Sequence, residues 1–157
     1  MIDLADIGKY RENNRLEAKK AVGGLPESIW ETYSAFANTF GGIILLGVME
    51  QEDRSFACVE LPDPEYLAEE FLRMVNDRSV VSDNILGDSD VRVEECDGHR
   101  IVVIEVPRAA REVRPVYIGT EPVAGSYYRS GDGDYRFAPA QVHYMMERKA
   151  RLAAARQ

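Results

Sequence analysis

The sequence predicts an α/β (α+β) domain with a single mixed sheet and flanking helices, and three observations predict it. Leu25, Ile29, Tyr33, Phe36, Ala37 and Phe40 recur at helical spacing and run into Gly41-Gly42, after which residues 43–48 carry no polar side chain. That is a helix, a glycine stop and a strand buried on both faces. Residues 91–95 alternate in polarity, Asp97-Gly98 offers a tight turn, and residues 101–106 return, the pattern of a hairpin. No low-complexity linker or repeat divides the chain, so residues 1–157 are expected to form one domain.

In chain order, residues 1–11 read as an amphipathic N-terminal helix or arm and residues 15–21 as a strand. The first main helix is expected over 26–40, opened by Pro26, whose fixed φ suits a first helical position. The central strand follows over 43–49, and residues 55–61 form a strand pairing back on it. Asp63 caps a helix with Pro64 in its first turn and Leu67, Phe71, Met74 and Val75 on one face. Residues 76–88 are polar and irregular. After the hairpin, residues 107–113 make a basic loop, and 116–119 and 125–129 read as short strands. A basic C-terminal helix is expected over 138–157, starting beside Pro139.

No stretch of 18 apolar residues is present to span a membrane, and the N-terminus lacks the basic start and apolar run of a signal peptide. Cys58 and Cys96 form no C-x-x-C pattern, and the only histidines are His99 and His143. Two buried thiols in a reducing cytoplasm are therefore expected, not a zinc site. The net charge of −8 is unevenly spread. Residues 50–97 hold 15 acidic and 4 basic side chains, whereas 98–157 hold 6 acidic and 10 basic, and 9–20 hold 2 and 5. A phosphate-binding face built from the two ends is compatible with this distribution, and so is an ordinary mixed acidic surface.

Several short motifs occur in order. Glu12 is followed by Glu17-Ala18-Lys19, and the helix end reads Ala35-Phe36-Ala37-Asn38-Thr39-Phe40-Gly41-Gly42. The strand ends in Gly47-Val48-Met49-Glu50; later come Pro115-Val116-Tyr117 and Tyr127-Tyr128-Arg129-Ser130-Gly131. This set, from about Glu12 to Arg148, resembles the AlbA-like domain of the Schlafen type. That resemblance implies a Schlafen/AlbA-like fold and a nucleic-acid-binding domain, for DNA or RNA. In the RNA-cleaving core of vertebrate Schlafen proteins three acids form the catalytic site, and Glu12, Glu17 and Glu50 fall on their positions. The resemblance thus implies a divalent-metal-dependent endoribonuclease, with Glu12, Glu17 and Glu50 as metal ligands and Lys19 neutralising the phosphate.

The residues themselves allow that chemistry, since carboxylate-held Mg²⁺ or Mn²⁺ polarises a phosphodiester and activates water. Five residues apart, Glu12 and Glu17 lie about 140° apart on a helix and on opposite faces of a strand, so they converge only across a bend. Asn13-Asn14 supplies a plausible one. Glu50 stands where the family has aspartate. One extra methylene moves a carboxylate by about 1.5 Å, and a shift near 1 Å costs about 10²-fold in rate.

Arg15, Lys19, Lys20, Arg108, Arg111, Arg114 and Arg129 form the candidate nucleic-acid-binding set, with Tyr117, Tyr127 and Tyr128 interleaved as stacking or core residues. Residues 130–134 lack a Gly-x4-Gly-Lys pattern and read as a turn, so no ATP site is expected. Asn38 reads as a structural hydrogen-bonder at the helix end. The vertebrate module resembles two such lobes facing across a basic valley, which implies a homodimer here; the C-terminal helix suits that interface or its own sheet. A non-catalytic DNA-binding regulator and a protein-interaction module, the latter favoured by the acidic middle, are the alternative functions.

Overall fold

The computed structural model describes residues 2–156. A 3-10 helix at Leu4–Lys9 leads into β1 (Leu16–Lys19), α1 (Ile29–Asn38) and β2 (Gly42–Leu46). A short hairpin, β3 (Val48–Glu50) and β4 (Phe56–Cys58), precedes α2 (Pro64–Val75). The long hairpin is β5 (Val91–Cys96) and β6 (His99–Val106). A helical turn α3 (Pro122–Gly125), a third hairpin of β7 (Tyr127–Ser130) and β8 (Gly133–Arg136), and α4 (Pro139–Ala155) complete the chain.

The main sheet has the order β1-β2-β6-β5. β1 and β2 run parallel and the other neighbours are antiparallel, giving the mixed sheet expected. Alternation divides the central strands between two cores. Ile44, Leu46, Val102, Ile104 and Val106 pack under α1 and α2 with Trp30, Tyr33, Phe36 and Phe71. Leu45, Ile101 and Val103 face Ile7 of the 3-10 helix and Val48 and Phe56 of the short hairpin. Both faces are covered, which is why β2 contains only glycine and aliphatic residues.

Two glycine positions shape the path toward the site. Gly41 has φ +74°, and a Cβ there would stand 2.7 Å from the Val106 carbonyl oxygen, so only glycine ends α1 this close to β6. Gly47, at φ +96°, splits the strand expected over 43–49. Beyond it Val48–Glu50 leaves the main sheet and pairs with Phe56–Cys58.

Other boundaries differ for local reasons. The first helix starts at Ile29, because Pro26 sits in a turn whose carbonyl accepts from the Ile29 N–H (3.1 Å). Phe40 falls beyond the helix and is 52% exposed, outside the apolar stripe expected of it. Residues 116–119 make only isolated bridges, and 122–125 form a helical turn before the strand. By contrast Asp63 caps α2 as expected, accepting from the Tyr66 N–H at 3.1 Å. The cysteines expected as free thiols are instead joined: Cys58 on β4 and Cys96 on β5 form a disulfide with Cα atoms 6.3 Å apart. Their separation of 38 residues hides a proximity that only the packing of the short hairpin on the sheet creates. No helix among the described residues is long and apolar enough to cross a membrane.

Candidate functional site

The expected bend between Glu12 and Glu17 is a closed turn. Asn13 and Leu16 exchange backbone hydrogen bonds (3.1 and 3.4 Å), and the Asn13 Oδ1 accepts from the Arg15 N–H at 2.8 Å. The chain before the turn therefore folds back along the free edge of β1. There the Glu12 carboxylate accepts from the Ala18 N–H at 3.1 Å and lies beside the Glu17 carboxyl. Burial, then the carboxyl and charge of Glu17, push the Glu12 carboxyl up to about 8; the Ala18 N–H opposes this and the charge of Glu50 adds to it. The three acids thus share one electrostatic neighbourhood. Glu50, at the exposed end of β3, acts on Glu12 through its charge and makes no hydrogen bond.

Glu17 and Lys19 lie on the α1 face of β1, in register with Ile44 and Leu46. The Lys19 Nζ stands 3.8 Å from Glu17 and donates to the Ser28 Oγ (3.0 Å) at the start of α1. Opposite it, the Arg129 Nη2 pairs with Glu17 at 2.9 Å and the Nη1 with Asp134 at 2.8 Å. Nε and Nη2 also donate to the Asn13 carbonyl, and Nη2 to that of Leu16, closing over the turn from within. The guanidinium lies 5.0 Å from the Phe36 ring centre and is fully buried. Arg129, expected to contact nucleic acid, is buried here, its guanidinium taken up by Glu17, Asp134 and the Asn13 and Leu16 carbonyls.

The helix-end motif explains how Arg129 arrives there. Asn38 donates to the carbonyls of Val116 and Tyr127 (2.9 and 3.0 Å) and accepts from the Val116 N–H (2.8 Å). Thr39 Oγ1 accepts from the Arg129 N–H at 2.9 Å. Asn38 therefore binds β7 to α1 rather than capping its own helix. Asp134, read only as part of a turn, holds Arg129 and accepts from Thr32 Oγ1 at 2.7 Å; its place in a Gly-Asp-Gly-Asp turn gave no sign of this.

Lys20 is exposed beyond β1, and Arg15 is exposed in the turn, its guanidinium carbon 5.4 Å from the Phe40 ring centre. Arg108 lies 5.7 Å from the same ring, and Arg111 and Arg114 share its loop after β6. Tyr127 takes the core alternative: it is buried and hydrogen-bonded to Glu31 and Arg136. Tyr117 and Tyr128 are half-buried, and Tyr128 packs on Tyr135 and Phe137.

Carboxylates are the donors a hard divalent cation takes. Glu17 is paired with Lys19 and Arg129, and the Glu12 carboxyl is raised to about 8 by burial first and by Glu17 second. Among the described residues only Cys58, Cys96 and Asp97 have ligand atoms all within 4.8 Å, and two of those are bonded to each other. The ligand atoms of Glu12, Glu17 and Glu50 do not all lie within that distance of one another.

The model of the Schlafen AlbA_2 family matches residues 12–138. The chain belongs to the Schlafen AlbA_2 family. No curated protein matches it. Among solved structures, this AlbA_2 domain is similar to the N-terminal domain of a DNA helicase RecG-related protein from Nitrosomonas europaea. The two are 27% identical, with a TM-score of 0.64, over 88% of this chain and 95% of that one. A Corynebacterium diphtheriae protein shares the fold at 17% identity and TM-score 0.54, over 85% of this chain and 24% of that one. The AlbA_2 match takes in Glu12, Glu17, Glu50, Arg129 and Asp134 and stops at the start of α4.

Proposed function

We propose that this AlbA_2 domain binds nucleic acid and cleaves RNA at the Glu12–Glu17–Glu50 cluster with a divalent metal ion. The observation that carries the reading is the Glu12–Glu17 contact. Folding buries the Glu12 carboxyl beside that of Glu17 and raises it to about 8, an arrangement that a cation would relieve. Family membership, and a neighbour described as DNA helicase RecG-related, support the nucleic-acid part.

Glu12, Glu17 and Glu50 would hold the ion, which would polarise a phosphodiester and lower the pKa of attacking water. Around it, Arg129 and Asp134 fix the Glu17 carboxylate, while Lys19, tethered to Ser28, places a positive charge beside it. The exposed Lys20 and Arg15 flank this edge and are suited to the phosphates of a bound strand.

The test is cleavage of labelled transfer RNA and duplex DNA by the purified protein, with Mn²⁺ or with EDTA. Metal-dependent RNA cleavage that falls at least about 10²-fold in Glu17→Gln is the expected outcome. Cleavage undiminished in that variant removes the acids from the mechanism. Salt-sensitive binding without product would instead identify a non-catalytic binding domain, in which Glu50 in place of aspartate is the first residue to revert.

A further inference from the structure

A second basic feature lies outside the acid cluster. The loop after β6 is pinned to α1 by the Ala109 N–H, which donates to the Ala37 carbonyl at 2.8 Å. It then turns tightly, with Val113 and Arg114 N–H groups both donating to the Ala110 carbonyl. The turn gathers Arg108, Arg111 and Arg114, and α4 brings Arg148 against them. Burial first, then the charges of Arg108, Arg148 and Arg111, hold the Arg114 guanidinium below its ordinary value. Glu112 alone opposes them, and it pairs with Arg156 at 3.4 Å.

Among the described residues none of these four arginines has an ion-pair partner. Among the described residues the buried Nε atoms of Arg114 and Arg148 have no hydrogen-bond partner, and the Arg148 guanidinium lies 5.8 Å from the Tyr144 ring centre. Like charges crowded together are costly unless an anion is bound beside them. Phe40 adjoins this cluster: it is 52% exposed, with the guanidinium of Arg108 at 5.7 Å and that of Arg15 at 5.4 Å from its ring centre. Both guanidinium groups lie over the ring, and a nucleobase that takes the place of one of them on the half-exposed ring keeps its phosphates beside both.

We propose that this surface binds a single-stranded polynucleotide, with an unpaired base stacked on Phe40 and the adjoining phosphates held by Arg108, Arg114 and Arg148. The inference rests on the nucleic-acid reading above and narrows it to unpaired strands. A duplex buries its base faces in its own stack and presents only phosphate to this surface. Phe40, Arg108 and Arg114 lie within the family match and Arg148 beyond it.

The test is fluorescence anisotropy in EDTA, across a salt series, with a single-stranded RNA, a single-stranded DNA of the same sequence and the duplex DNA. Wild type binds both single strands more tightly than the duplex. Phe40→Ala weakens single-strand binding about tenfold and leaves duplex binding and the salt slope unchanged, and Phe40→Tyr restores it. Arg148→Gln weakens all three and lowers the single-strand salt slope by about 0.7. Matched melting curves exclude misfolding, and Phe40, exposed at its loop, carries the test if Arg148→Gln is unstable. Wild-type affinity in both Phe40→Ala and Arg148→Gln overturns this surface while leaving the nucleic-acid reading intact. Equal or tighter duplex binding overturns the single-strand assignment, and failure of wild type to bind any polynucleotide overturns both readings.

Discussion

Glu12 shows how one turn converts a surface acid into a titrating group near neutrality. Its carboxyl moves from 4.5 to about 8 because the fold buries it and the Asn13–Leu16 turn lays it beside Glu17. Between those values the folded protein holds a proton that the unfolded chain releases, so Glu12 contributes stability below about pH 4.5 and that contribution is lost as pH rises through 8. Thermal melts are therefore expected to fall across this window, and Glu12→Gln is expected to flatten the fall. Mn²⁺ is expected to raise the melting temperature more at pH 8 than at pH 6, since it displaces that proton. An identical pH profile in the variant would show that Glu12 titrates normally. The sequence named Glu12, Glu17 and Glu50 and required a bend, and the turn supplies it. Sequence offered nothing to separate Arg129 from the solvent-facing arginines, because burial by Phe36, Asn13 and Leu16 is assembled from three distant segments.

Elements were legible where local chemistry decides them. Asp63-Pro64 starts α2, and Asp97-Gly98 joins β5 to β6, because capping and turn formation involve only adjacent residues. The end of α1 is equally local, and it makes a quantitative expectation. Gly41→Ala forces a side chain into φ +74° with its Cβ 2.7 Å from the Val106 carbonyl, so urea denaturation should show a loss of about 1–3 kcal/mol. A loss within error would mean that β6 yields at this point. Elements were illegible where a neighbour overrides the pattern. Residues 116–119 alternate well enough for a strand, yet Asn38 and Ser82 take the backbone groups of Val116 and Tyr117 that a ladder would use. Residues 48–50 continue an apolar run, but Gly47 turns them out of the sheet and carries Glu50 with them.

At the scale of the whole molecule, the short hairpin bearing Glu50 is fastened to the sheet by Cys58–Cys96. Closing a loop of 38 residues is worth about 2–4 kcal/mol. A thiol reductant is thus expected to lower the melting temperature by about 5–15 °C, and a melt insensitive to reductant would show that the bond adds no stability. The acid cluster and the arginine cluster likewise exist only in the folded molecule, each drawing on segments that lie apart in the chain. The sequence by itself determined the mixed α/β architecture, the family and the identity of the three acids, because polarity period, turn residues and ordered motifs act over a few positions. The tertiary structure alone decided which cations remain available, which are buried as supports, and that Phe40 and Arg148 adjoin the basic loop. Burial and charge proximity depend on packing between distant elements, and no local pattern encodes them.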